Sequence, residues 1–317
     1  MLSKGQSVIT KSSSPLASKR GFFFFSTLII AALHPAAAQM QTRPFPHNGY
    51  DRPYLIYRPA HLVKDPAVVF MLGGIGSTAL FTSKNFGWKE EADRNGFLAV
   101  FPDPVATDPS KPASKKNITF WQMKGSRTRI LGPNALPVDD DGYLMAVLHD
   151  VLRHEHPDRT RVFFAGFSSG SGMVQLFASR HPKDIRAIAA VATPLMDPPA
   201  RLAHPVGVLY INGDKDEQLS GFETLCPHFA TTPHGNWVTW GYLNGCQLQT
   251  AEKTVWGVRF SWQGCKNHVP VIADFVAGLG HEWAGSLDSE RNQMLQTHYS
   301  LNFTNMAWQF FASFGTQ

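Results

Sequence analysis

The chain has 317 residues, 43% of them hydrophobic, with 29 Lys+Arg against 24 Asp+Glu and a formal net charge of +5. Lys4, Lys11, Lys19 and Arg20 supply four of the bases in an N-terminal stretch without any acid, so the remainder is balanced at 25 against 24. That balance leaves no basic stripe to bind nucleic acid, and no internal repeat, low-complexity linker or second domain stands out.

The first 38 residues read as a secretory signal. A basic segment precedes the apolar stretch Phe22 to Leu33, and Ala36-Ala37-Ala38 offers a small-residue cleavage site before Gln39. The apolar stretch is short for a bilayer span, although an uncleaved anchor is the alternative. Ser18-Lys19-Arg20-Gly21-Phe22-Phe23 loosely resembles a twin-arginine signal with Lys for the first Arg. The expected location is therefore secreted or periplasmic, with no stable membrane insertion after cleavage. Residues 39–317 then form a single α/β domain with room for a sizeable core.

Short apolar runs follow in chain order: Tyr54–Tyr57, Ala67–Leu72, Phe97–Phe101, Val162–Ala165, Ala187–Val191 and Val206–Ile211, with a weaker run at Val269–Ile272. The central ones are continuously apolar, as parallel strands covered on both faces must be. Helical patterns alternate with them. Trp88–Asn95 ends at Gly96, a C-cap residue. Asp141–Glu155 places Leu144, Val147, Leu148, Val151 and Leu152 on one face, and Met173–Arg180 follows. Asn302–Phe314 closes the chain, with Met306, Trp308, Phe310 and Phe311 as core. Such alternation predicts a mostly parallel central sheet with helices on both faces. Residues 103–140 fit neither pattern and form a long excursion, of the kind that is usually functional or mobile.

The chain has three cysteines. Cys246 and Cys265 each follow a glycine and flank a strand-like segment, Thr254–Trp262. They are predicted to pair, closing a loop worth roughly 3 kcal/mol by chain entropy. Cys226 is left over as a buried free thiol. No Cys-x-x-Cys spacing suggests a metal, and no metal or organic cofactor is expected.

Chemistry concentrates around Gly166-Phe167-Ser168-Ser169-Gly170, which lies between an apolar strand and a helical run. A Gly-x-Ser-x-Gly turn in that setting is a nucleophile elbow, which presents a strained serine hydroxyl to a base. Ser168 needs that base, an acid to orient it and donors for an oxyanion. The run Val206–Ile211 leads into Asn212-Gly213-Asp214-Lys215-Asp216. Asp216 is favoured as the acid, with Asp214 shaping the turn; the alternative is two solvated turn aspartates. Among the later histidines, His228, His234, His268, His281 and His298, His281 is favoured because Gly278-Leu279-Gly280 makes a tight approach and Trp283 offers an apolar wall. The strand Val68–Leu72 ends in Gly73-Gly74-Ile75-Gly76-Ser77. The Ile75 and Ser169 N–H groups are assigned to the oxyanion hole. A phosphate loop is discounted, because no Lys-Ser/Thr follows.

With these motifs in hand, the chain resembles secreted esterases of the polyhydroxybutyrate depolymerase and feruloyl esterase type, within the α/β-hydrolase superfamily. The resemblance rests on Tyr54-Leu55-Ile56-Tyr57-Arg58-Pro59, Leu72-Gly73-Gly74-Ile75-Gly76-Ser77, Glu91-Ala92-Asp93-Arg94-Asn95-Gly96-Phe97, Val138 to Leu144, Asn212 to Asp216 and Gly278-Leu279-Gly280-His281-Glu282-Trp283. Asn244-Gly245-Cys246 and Gly264-Cys265 add to it, since such cysteines are expected to pair in that family. Three positions depart from the family pattern: Gly73 for His, the elbow Gly-Phe-Ser-Ser-Gly-Ser-Gly, and Ala284 for Pro after Trp283.

The resemblance implies an exported serine carboxylesterase with a Ser168, His281 and Asp216 triad. Its substrate is expected to be a small-molecule or oligomeric ester, of the feruloyl, acetyl or short hydroxyalkanoate type. Trp121, Trp283 and Gly74 are expected to contact it, with core packing the alternative for Trp121. A serine peptidase and a non-catalytic binding protein are the rival readings.

Overall fold

The computed structural model describes residues 37–108, 111, 113–123, 138–196, 198–218, 235–286 and 301–315. Most of the predicted leader, Cys226, His228, His234 and His298 lie outside them.

A ten-stranded sheet forms the centre. Its strands are β1 (Gln39–Arg43), β4 (Tyr54–Arg58), β5 (Val68–Leu72), β6 (Leu98–Pro102), β7 (Val162–Phe167), β8 (Ala187–Val191), β9 (Gly207–Gly213), β10 (Leu248–Thr254), β11 (Gly257–Gln263) and β12 (Val271–Val276). Their spatial order is β1-β4-β6-β5-β7-β8-β9-β12-β11-β10. From β6 to β12 all pairs are parallel. The two ends of the sheet are antiparallel. A small separate ribbon pairs β2 (Pro46–His47) with β3 (Tyr50–Asp51).

Six α-helices are described: α1 (Ala79–Asn85), α2 (Trp88–Asn95), α3 (Asp140–His154), α4 (Ser169–Arg180), α5 (Gly235–Leu243) and α6 (Phe303–Ala312). They cover both faces, and the sheet's side chains record it. Val68, Phe70 and Leu72 share one apolar cluster with Leu144, Val147 and Val151 of α3 and with Met173 and Phe177 of α4. Val69 and Met71 share the other with Trp88 of α2 and with Phe303, Trp308 and Phe311 of α6. Successive residues of a strand point to opposite faces, so a strand buried on both sides must be apolar throughout. That is why β5, β7, β8 and β9 were legible as unbroken runs.

Helix ends follow local chemistry. Thr78 caps α1 by accepting from the Phe81 N–H at 3.2 Å, and Asn302 caps α6 by accepting from the Asn305 N–H at 2.9 Å. Gly96 closes α2 in a left-handed conformation, φ 70°. The elements differ from expectation in three places. Helix α4 begins at Ser169, directly on the elbow, rather than at Met173. The run around Val269–Ile272 becomes a strand only from Val271 and reaches Val276. Within it Asp274 interrupts the apolar pattern but is paired with Arg259 of β11 at 2.7 Å. The segment read as one strand, Thr254–Trp262, is the turn and second arm of the β10–β11 hairpin.

The predicted disulfide joins Cys246 and Cys265. It ties the turn after α5, three residues past Leu243, to the segment just after β11. No described helix is long and apolar enough to cross a membrane.

Candidate active site

Strand β7 delivers Ser168 at the carboxyl end of the parallel sheet, and α4 leaves from the same point. The serine sits at φ 53°, ψ −123°, a conformation costly for a residue with a Cβ. The flanking glycines make it possible. A Cβ at Gly166 would lie 2.4 Å from the Gly170 carbonyl oxygen, and one at Gly170 would lie 2.2 Å from that of Leu72. No side chain fits at either position, so the elbow can pack tightly against β5.

The acid and the histidine come from neighbouring strand ends. Asp216 follows β9, with its side chain sealed from solvent. It faces His281 Nδ1 at 2.9 Å through Oδ2 and 3.1 Å through Oδ1. On the other side of the ring, His281 Nε2 lies 2.8 Å from Ser168 Oγ. The predicted trio is thus one hydrogen-bonded chain. Asp214, the alternative acid, is occupied elsewhere: its Oδ1 accepts the Gly278 N–H at 2.7 Å. Together with the Lys215 N–H on the Leu279 carbonyl at 2.9 Å, this bond clips the histidine loop to the acid loop. Gly213 permits the contact, because a Cβ there would meet the Leu279 carbonyl oxygen at 2.0 Å. Of the other candidate histidines, His268 is described and sits exposed in a 3-10 turn, Lys266–His268, away from the trio.

The loop after β5 supplies the opposite wall. Gly74 packs against the serine, where a Cβ would come within 3.0 Å of Ser168 Cβ. Gly73 has no space for the histidine of the related esterases, since a Cβ there would lie 2.4 Å from Thr82 Oγ1. The Gly76 N–H donates to the Thr119 carbonyl at 2.7 Å, and the Ser77 N–H to the Gly74 carbonyl at 3.1 Å. The Ile75 N–H makes no hydrogen bond among the described residues. Ser169 is the first residue of α4, so its N–H has no acceptor within the helix. Neither amide assigned to the oxyanion hole donates a backbone hydrogen bond among the described residues.

Beside the serine lies a cavity of about 480 Å³. Gly74, Ile75, Ser168, His281 and Trp283 line it. Trp283 is nevertheless nearly buried, and its indole N–H donates to Thr304 Oγ1 at 3.0 Å. Trp121 does not reach the cavity. It is fully buried, and its indole N–H donates to the Gly73 carbonyl at 3.1 Å. The expected substrate wall is instead a buttress beneath the Gly-rich loop. Thr119 acts alongside it, donating from Oγ1 to the Ser77 carbonyl at 2.6 Å. The excursion thus holds the loop at three points, through the Trp121 indole and through the Thr119 carbonyl and hydroxyl.

Sequence reasoning missed several of the lining residues. Phe81, Phe86 and Phe167 add an aromatic side to the wall. Phe167 packs on the His281 ring with centroids 5.1 Å apart, and Phe86 meets Trp283 edge-on at 5.4 Å. Phe167 could have been found, because it is the variable residue inside the elbow motif. Phe81 and Phe86 lie on and just after α1, a short helix without a clear apolar period.

Ser171, the extra serine of the elbow, is structural. Its hydroxyl donates to the Thr193 carbonyl at 2.7 Å, which Gln175 Nε2 also reaches at 2.6 Å, while the Trp240 indole N–H donates to Gln175 Oε1 at 2.9 Å. Behind the Gly-rich loop, burial lifts the Asp103 carboxyl to about 6, against the Ala79 N–H and nearby Arg52, which act to lower it.

Comparison with known proteins places this geometry in context. The chain is 22% identical over 247 residues to a bifunctional acetylxylan esterase/xylanase of Neocallimastix patriciarum, covering 72% of this chain and 32% of that protein. It is 26% identical over 159 residues to a feruloyl esterase B of Thermothelomyces thermophilus, covering 50% of each. The chain spans between a third and a half of the length of the curated relatives it matches. Among solved structures, an acetyl xylan esterase from Aspergillus awamori superposes with a TM-score of 0.54 at 13% identity, covering 81% of this chain and 98% of that one. This likeness is one of fold. A family model described as the alpha/beta hydrolase fold matches residues 66–224, half of the chain, and with the sheet order and elbow described above the chain belongs to that family.

Proposed function

We propose that this chain is a serine carboxylesterase. In this reading His281 Nε2 takes the Ser168 proton as Oγ attacks the ester carbonyl. Asp216 holds the imidazole tautomer and stabilises the imidazolium. The Ile75 and Ser169 N–H groups receive the oxyanion, each typically worth about 3 kcal/mol in the transition state. The alcohol leaves with the proton returned by His281, and water hydrolyses the acyl-enzyme by the reverse relay. The observation that carries the reading is the unbroken chain Asp216–His281–Ser168, at 2.9 and 2.8 Å, opening onto a cavity.

The substrate proposed is an acetyl- or feruloyl-type ester. The names of the esterase relatives support the class, and the aromatic wall of Phe81, Phe86 and Phe167 supports a group with an apolar face. Ile75, Leu80 and Phe81 continue that apolar surface outward as exposed side chains. The leader motif supports export, with Gln39 as the first residue of the exported chain and also the first of β1.

The test compares p-nitrophenyl acetate, methyl ferulate and a peptide p-nitroanilide as substrates for the wild type, Ser168→Ala and His281→Ala. Ester turnover lost in both variants supports the reading. Amide turnover without ester turnover makes the chain a peptidase, and no turnover of any substrate leaves a binding protein.

A further inference from the structure

We infer that the Ser77 hydroxyl is a third oxyanion donor, completing the site that the Ile75 and Ser169 amides begin. The inference rests on the serine esterase reading above. Ser77 lines the same cavity as Ser168 and Gly74. It is otherwise largely buried, at 7% exposure. Its main chain is pinned at both polar atoms: the N–H donates to the Gly74 carbonyl at 3.1 Å, and the carbonyl accepts from Thr119 Oγ1 at 2.6 Å. Its hydroxyl, in contrast, makes no hydrogen bond among the described residues.

The other hydroxyls nearby are disposed differently. Thr78 Oγ1 caps α1 by accepting from the Phe81 N–H, and Thr119 Oγ1 is spent on the Ser77 carbonyl. Ser169 Oγ has no partner either, but it is sealed from solvent and does not line the cavity. Ser77 is thus the hydroxyl of this loop that has no partner among the described residues and lies on the wall of the cavity that holds Ser168. A hydroxyl on the wall of that cavity can donate to negative charge developing there, and its fixed backbone means little reorganisation as the charge forms. The turn closed by the Ser77 N–H folds the side chain back over Gly73, within 3.0 Å of where a Cβ on Gly73 would stand, while Gly74 abuts Ser168. Ser77 thus packs against Gly73 and the nucleophile against Gly74, the next residue along the chain.

The experiment uses the full chain with Ser77→Ala, Ser77→Thr and Ser168→Ala. It measures kcat and KM on p-nitrophenyl acetate, the inhibition constant of an alkylboronic acid, and Tm. The boronic acid forms a tetrahedral anionic adduct on Ser168 and so reports oxyanion binding. For Ser77→Ala the expected result is a loss of about 100- to 1,000-fold in kcat, with KM and Tm little changed and boronate affinity falling by a similar factor. Ser77→Thr, which keeps the hydroxyl, retains most of both. Unchanged kcat in Ser77→Ala overturns the inference. So does a lost kcat with full boronate affinity, which would mark Ser77 as a scaffold for the loop. If the wild type hydrolyses esters and Ser168→Ala does not, the esterase reading survives either result. If the wild type itself neither turns over ester nor binds boronate, that reading fails and the role of Ser77 falls with it.

Discussion

Replacing Asp103 with Asn is expected to change how stability depends on pH. Asp103 follows β6 directly, behind the Gly-rich loop, its Oδ1 accepting the Ala79 N–H at 2.8 Å. Burial disfavours its charged form and lifts its pKa from 3.8 to about 6, although the Ala79 hydrogen bond and Arg52 oppose the rise. A carboxyl with a raised folded-state pKa stabilises the fold while both states are protonated. That contribution is lost as pH climbs through the folded-state value. The rise corresponds to about 3 kcal/mol, at roughly 1.4 kcal/mol per pH unit, most of it lost between about pH 4 and 6.5. Asn keeps the acceptor for Ala79 and cannot titrate. The stability of Asp103→Asn minus that of the wild type should therefore increase by about 3 kcal/mol from acid to neutral pH. Urea unfolding at a series of pH values measures it, and the subtraction cancels every other titrating group. A difference that is flat with pH would refute the reasoning, whatever its absolute offset.

Three further outcomes follow from the same structure. Arg52→Leu leaves Asp140 buried without its charged partner, so urea unfolding should show a loss of about 3–5 kcal/mol. Trp121→Phe keeps the aromatic packing but orphans the Gly73 carbonyl. It should cost about 1–3 kcal/mol and lower ester turnover, whereas a substrate wall would have shown itself in KM alone. Replacing Cys246 and Cys265 together by Ala opens a loop of 19 residues' separation. Loss of about 3 kcal/mol is expected by calorimetry, with esterase kinetics retained because the bond lies in the β11 region rather than at the trio.

What could be read from the sequence, and what could not, follows the burial. Strands β5 to β9 are covered on both faces, so an apolar run was sufficient to find them. The edge strands gave no such signal: β1 is Gln39-Met40-Gln41-Thr42-Arg43 and β10 is almost wholly exposed. Their pairing comes from neighbours, not from their own composition. Ser168, Asp216 and His281, singled out by chain order and strand ends, stand in one hydrogen-bonded chain. Asp216 faces His281 while Asp214 accepts from the Gly278 N–H, a division that no spacing could show. Trp121 was misplaced for a related cause. An aromatic residue in an irregular segment can face a cavity or fill a core, and only the fold shows that its indole reaches Gly73. Gly73 itself was noticed as a departure, and its cause is the close approach of Thr82 and Ser77.

The central claim is that Ser168 is a nucleophile activated by His281. Its most direct test is to treat the protein with a fluorophosphonate and map the adduct by peptide mass spectrometry. The account predicts one adduct, on the peptide containing Ser168, absent in Ser168→Ala and formed far more slowly in His281→Ala. Labelling of the wild type at another serine, or none at Ser168 while the protein hydrolyses ester, would contradict it.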